Sequence, residues 1–164
     1  MDVTIFSDGS SKGNPGPGGY GTIIRYVDKN GKLHEGIYTE GFKLTTNNRM
    51  ELMGAIAGLE ALIKPCNVKL ISDSKYLVDA FNMHWIEGWV NKGWKKADKS
   101  KVLNVDLWKR LLKAMEPHNV TFEWIKGHAG HPENERCDKM ACESAEGADL
   151  LDDSGYDPGG ESNG

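Results

Sequence analysis

"DVTIFSDGSSKGNPGPGGYGTIIRYVDKNGKLHEGIYTEGF" (residues 2–42) holds three strand patterns in a row and no helical one. "DVTIFSDGS" is rich in β-branched and aromatic residues and turns at Asp8 and Gly9, before a glycine- and proline-rich loop. "YGTIIRYVDKNGKLHEGIYTEGF" then reads as a hairpin about the "DKNG" turn. The pattern changes at once afterwards. "TTNNRMELMGAIAGLEALI" has the helical period, with Met50, Met53, Ile56, Ala57 and Leu59 to Ile63 as its buried stripe, Thr46 or Asn47 as N-cap, and Lys64-Pro65 as the stop. "VKLISDS" is a short buried strand that delivers Asp73 at its end, and "SKYLVDAFNM" a helix. After a Trp- and Lys-rich segment come the amphipathic helix "NVDLWKRLLKAME", the strand "VTFEWIKG" and the helix "PENERCDKMACESA", with proline at N1. The order β-β-β-α-β-α-α-β-α predicts one α/β layer sandwich. Its five-stranded mixed sheet has strands 1–3 antiparallel, strands 4 and 5 parallel to strand 1, and helices on both faces. Chemistry then belongs at the carboxyl ends of the strands.

The 164 residues suffice for one domain with a proper core. No apolar run approaches a membrane span and no basic-then-apolar leader is present, so the expectation is a soluble, cytoplasmic protein, a monomer without membrane contact. Cys66, Cys137 and Cys142 are odd in number and lack framework spacing, which predicts reduced thiols. The net charge of −4 is unevenly spread. Residues 146–164 hold six acids and no Lys or Arg, leaving 18 acids against 20 bases in residues 1–145. Residues 84–113 carry eight bases against three acids, the charge of a solvated helix face or of a polyanion-binding surface. The acidic, Gly-rich tail 146–164 is expected to be largely disordered.

"GHAGHPENERCD" (127–138) looks at first like a zinc or Cys–His site. Residues five apart on a helix diverge by about 140°, so Cys137 and Cys142 cannot face one ion. Cys137 shares a core stripe with Met140, Ala141 and Ser144 instead. The acids carry more. Asp8 and Asp73 end strands, Glu51 lies early in one helix, and Asp138 lies in the last, one step round from its core stripe. Such carboxylates repel unless cations fill the space between them, and an all-oxygen set suits Mg²⁺ or Mn²⁺. Two such ions about 3.5–4 Å apart activate water and stabilise the leaving oxygen of a phosphodiester. His128, in the flexible loop beside Asp138, is then placed to move protons near the leaving group.

Over residues 1–145 the runs "FSDGSSKGNPGPGGYG", "TTNNRMELMGAI", "SDSKYL", "NVDLWKRL" and "WIKGHAGHPENERCD" together resemble type 1 ribonuclease H of the bacterial kind. The resemblance implies a catalytic domain of the ribonuclease H-like sandwich, with Asp8, Glu51, Asp73 and Asp138 as ligands of two Mg²⁺ ions and His128 as a mobile helper. It also implies an endonuclease that hydrolyses the RNA strand of RNA–DNA hybrids to 5′-phosphate and 3′-hydroxyl ends. Ser11, Asn14, Asn47 and Asn48 would meet the minor groove, and Thr46 and Asn104 match the family's pocket for a DNA-strand phosphate. Residues 84–101, with Trp85, Lys92, Trp94, Lys95 and Lys96, resemble its basic protrusion; Trp89 is expected to pack, Trp85 and Trp94 to face the duplex. Lys75 departs from the glutamine common in bacterial relatives and bears on the substrate contact there.

A haloacid-dehalogenase phosphatase also puts an Asp after its first strand, but Phe6 occupies the position where its nucleophile must be. A non-catalytic hybrid-binding module would lack one or more of the four acids, and all four are present. A metal-dependent nuclease acting on DNA is not separated from a hybrid nuclease by these residues alone.

Overall fold

In the computed structural model, which describes residues 1–158, the meander runs as β1 (Asp2–Ser11), β2 (Gly16–Val27) and β3 (Leu33–Thr45). α1 (Asn47–Glu60), β4 (Asn67–Ser72), α2 (Lys75–Asn82), α3 (Trp85–Asn91), α4 (Val105–Met115), β5 (Asn119–Trp124) and α5 (Pro132–Ala145) follow. The sheet order is β3-β2-β1-β4-β5, antiparallel through β1–β3, with β4 parallel to β1 and β5 parallel to β4, as expected. α3 is an added short helix inside the Trp-Lys segment. Adjacent residues of β2 show the two-faced sheet. Thr22 Oγ1 donates to the Gly54 carbonyl of α1 at 2.7 Å, while Gly21 lies against Cys137 of α5. No helix among the described residues is long and apolar enough to cross a membrane.

α1 differs from the amphipathic helix that its spacing predicts. Ten of its residues, from Arg49 through Leu59, are buried on nearly every side. Ile63, placed in the stripe by periodicity, lies beyond the helix end and is 97% exposed. The cause is tertiary: α1 touches β1 and β2 on one side and α4 on the other, so it is a central element. Thr46 is the N-cap, its hydroxyl accepting from the Arg49 N–H at 3.2 Å.

Beside it, Trp108 is wholly buried among Tyr76, Phe81 and Trp89, which holds the root of the protrusion on the domain. Trp89 packs as expected. Trp94 is half-buried against the core, with Lys109 Nζ 5.9 Å from its ring centre.

The disordered-tail reading is corrected for its described part. Leu151 extends the edge of the sheet: Leu151 N–H donates to Gly41 O at 2.8 Å, and Lys43 N–H to Leu151 O at 2.9 Å. Asp153 then reaches Arg49, which is 2% exposed, at 2.7 Å. Composition hides this because two specific features recruit the segment: an edge strand with unpaired backbone groups and a buried cation in need of a carboxylate. Residues 159–164 lie outside the described residues. Ending the chain after Ala145 removes one of the two carboxylates on Arg49, a loss of about 2 kcal/mol and thus roughly 4–8 °C in Tm for a domain of this size. A melting curve checks it. An unshifted midpoint would mean that the segment contributes nothing to the fold.

Candidate active site

Strand register brings Asp8 and Asp73 together. β1 and β4 pair from Asp2↔Asn67 to Phe6↔Ile71, so the two aspartates, each two residues further on, stand side by side where the ladder ends. The Trp124 indole N–H donates to the Asp73 carbonyl at 2.9 Å and ties that turn to β5. Glu51 arrives over Gly9. A Cβ at residue 9 would lie 2.2 Å from Met50 C and 2.3 Å from Glu51 N, so the approach of α1 to β1 requires glycine. The Gly9 N–H donates to Asp8 Oδ1 at 2.9 Å and to Glu51 Oε1.

Carboxylate oxygens of Asp8, Glu51 and Asp73 consequently lie within 4.8 Å of one another. Asp8 is 5% and Glu51 4% exposed, and Glu51 Oε2 is buried with no hydrogen-bond partner among the described residues. Asp138, on α5, lines the same cleft of about 260 Å³ but is not one of the three mutually close carboxylates. Its helix is pinned next door, where the Cys137 thiol donates to Phe6 O at 3.4 Å. Burial pushes that thiol up to about 12, which suits a core residue and not a nucleophile. Oxygen-only donors and an unsatisfied buried carboxylate oxygen fit a hard divalent cation. A larger groove, about 860 Å³, lies at the opposite end of β1, β4 and β5, lined by Asp2, Asn67 and Asn119, away from the acids.

The other expected residues are less uniformly placed. His128 is exposed in the β5–α5 loop with φ 55° and does not line the cleft. Asn47 does line it, and its N–H donates to Asn14 Oδ1 at 3.1 Å. Ser11 Oγ is buried without a partner among the described residues, and Asn48 is half-buried. Thr46 is fully buried in its capping role, and Asn104 is half-buried at the start of α4. Lys75 is exposed, with Nζ 4.7 Å from the Trp124 ring centre. Trp85, Lys92, Lys95 and Lys96 are exposed on the protrusion. Sequence reasoning missed Arg49, Asp106 and Asp153, whose mutual contacts cross from α1 to α4 and the tail. It also missed Asn134, buried one turn before Asp138; its i, i+4 spacing from that acid was the available sign.

Burial first, and then the neighbouring Glu51 carboxylate, push Asp8 far above the carboxylate range; burial raises Glu51 as well. The folded protein therefore keeps protons that the unfolded chain releases above about pH 4. That contribution is complete below the unfolded values and is lost as pH rises. Glu35, held at about 2 by Arg136 and Arg25, acts in the opposite sense but only below its ordinary range. Denaturant unfolding in a chelator should thus give stability that declines from pH 5 to pH 8, with Mg²⁺ reducing the decline. A rise across that interval in the chelator would contradict the assignment.

The RNase H family model matches residues 1–146. A ribonuclease H from Lachnoclostridium phytofermentans is 61% identical over 154 residues, which is 93% of this chain and 98% of that protein. One from Yersinia pestis is 55% identical over 156 residues, 95% of this chain and 97% of that protein. Among solved structures, LC9-RNase H1, a type 1 RNase H with the type 2 active-site motif, superposes with a TM-score of 0.79 at 30% identity, covering 88% of this chain and 72% of that one. LC11-RNase H1 in complex with RNA/DNA hybrid gives a TM-score of 0.61 at 23% identity over 88% of this chain and 96% of that one, a likeness of fold. With the sheet order and the acid cluster already in place, these matches make this chain a member of the RNase H family.

Proposed function

We propose that this chain hydrolyses the RNA strand of RNA–DNA hybrids as a metal-dependent endonuclease, leaving 5′-phosphate and 3′-hydroxyl ends. One observation carries the chemistry: Asp8, Glu51 and Asp73 hold carboxylate oxygens within 4.8 Å of one another, with Glu51 Oε2 buried and without a hydrogen-bond partner among the described residues. Two divalent ions held there, Mg²⁺ with Mn²⁺ as a substitute, would make water a stronger nucleophile and stabilise charge on the leaving oxygen. Asp138, across the cleft, completes the ligand set from α5. His128 takes part from a solvent-exposed loop, moving a proton at the leaving oxygen.

The substrate reading rests on how the rest of the surface suits a duplex. Ser11, Asn14, Asn47 and Asn48 gather at the β1–β2 loop and the start of α1, short polar groups suited to a minor groove and its 2′-hydroxyls. Asn104 offers an amide N–H to a DNA-strand phosphate. Lys92, Lys95 and Lys96, with the exposed Trp85, supply charge and a stacking face on the protrusion. Lys75, steadied over Trp124, adds a cation two residues from Asp73.

Asp73→Asn in otherwise intact protein should nearly abolish cleavage of a labelled hybrid in Mg²⁺ while the fold is retained, because a neutral amide holds a divalent ion poorly. Turnover near that of the unaltered protein would remove the acid cluster from the mechanism. Parallel assays on DNA duplex and RNA duplex decide the substrate: the hybrid should be cleaved and the DNA duplex not. For His128→Ala, a loss of about 10²–10⁴-fold in kcat with little change in hybrid affinity is expected, since a proton shuttle acts only in the transition state. An affinity loss as large as the kcat loss would make His128 a substrate contact instead.

A further inference from the structure

Asn104 stands at the N-cap of α4 in the left-handed region (φ 61°), yet its side chain makes no capping bond. Asparagine there ordinarily caps its helix. Here the amide is turned sideways. Oδ1 accepts from Arg49 Nη1 at 3.2 Å, and Nδ2 donates to the Tyr76 hydroxyl at 3.0 Å. Those two bonds fix which way the amide faces, because exchanging O and N would set donor against donor at Arg49. They leave the second Nδ2–H for another acceptor.

Arg49 is held just as firmly. Asp153 accepts from Nε at 2.7 Å and from Nη2 at 3.0 Å, and Asp106 from Nη1 at 2.9 Å and Nη2 at 2.7 Å. With the Asn104 contact, all five guanidinium N–H groups are engaged, so Arg49 has no donor left for a phosphate. Asp153 is itself fixed by the Thr45 hydroxyl at 2.7 Å and by the pairing of Leu151 with β3. Behind it Gly155 lies so near Asp106 that a Cβ would fall 2.0 Å from Oδ2. The segment is therefore seated against the network and not merely near it.

We propose that the docked C-terminal segment is a positioning strap for the substrate site: Asp153 sets Arg49, Arg49 sets the Asn104 amide, and Asn104 presents its free N–H to a DNA-strand phosphate. The inference rests on the reading of Asn104 given under the proposed function. It also carries a sign that simple charge does not. Removing an anion from beside a polyanion site should tighten binding by Coulomb's law, whereas loss of the strap lets Asn104 turn its carbonyl toward the phosphate and weakens it.

Steady-state kinetics of the full chain on a labelled RNA–DNA hybrid test it, using Asp153→Ala, Asp153→Glu, Asn104→Ala and the double variant Asp153→Ala with Asn104→Ala. Asp153→Ala should raise KM about tenfold, the effect of one lost hydrogen bond to a charged group, with kcat within about twofold. Asp153→Glu should restore much of the loss, and the double variant should be no worse than Asn104→Ala alone. Should Asp153→Ala fold poorly, Tyr76→Phe removes the other restraint on the amide and should give the same KM-selective change. A fall in KM for Asp153→Ala, a lower Tm with unchanged KM, an unaltered KM in Tyr76→Phe, or additive losses in the double variant would each overturn the strap. An Asn104→Ala variant with unchanged KM would instead overturn the phosphate contact itself.

Discussion

Repulsion among Asp8, Glu51 and Asp73 is the constraint on which the rest of this structure turns. With ligand oxygens within 4.8 Å of one another and an effective dielectric of about 20, each pair of like charges would cost at least roughly 3 kcal/mol, more than one ordinary hydrogen bond returns. The Gly9 N–H offsets only part of this. Such a cluster relaxes by taking up protons or cations, and the upward shifts of Asp8 and Glu51 express the first route. Only a rigid frame keeps the carboxylates together while the second remains open.

That frame is built from elements that are buried for other reasons. Parallel pairing of β1 with β4 sets Asp8 and Asp73 side by side just past the last β1–β4 pair, while β1 runs on to Ser11 against β2, and the core beneath them, with Ile5, Leu70 and Ile56 fully buried, prevents the strands from separating. α1 is enclosed by the sheet and α4, so Glu51 is carried on a helix with little freedom to retreat. α5 approaches from the opposite face and brings Asp138 to the rim. The site is thus a junction of both faces of the sheet, and hydrophobic packing remote from the acids determines their spacing.

Electrostatics at a coarser scale are less simple than net charge suggests. Six acids in residues 146–164 look unhelpful to a protein that meets a polyanion. Asp153, however, is 8% exposed and bound to a buried arginine, so its charge is local and compensated. The exposed lysines of the protrusion keep their charge available at the surface. One formal charge can hold the architecture while another of the same type faces solvent, and only contact geometry distinguishes them.

Periodicity and turn chemistry determined the five strands, their directions, the main helices and the proline-led start of α5, because each of these follows from short-range backbone preferences. The convergence of Asp8, Glu51 and Asp73 and the sheltered Cys137 were also legible, since strand phase and helical phase give position and facing. What tertiary structure alone decided lies at longer range. Burial of α1 on nearly every side, the packing of half-buried Trp94 against the core and the exposed place of His128 outside the cleft depend on which elements meet. So does the pairing of Arg49 with Asp153, partners separated by 104 residues. No local pattern encodes such a contact: a buried arginine and a tail aspartate acquire meaning only when packing removes water from one and brings the other within hydrogen-bond reach.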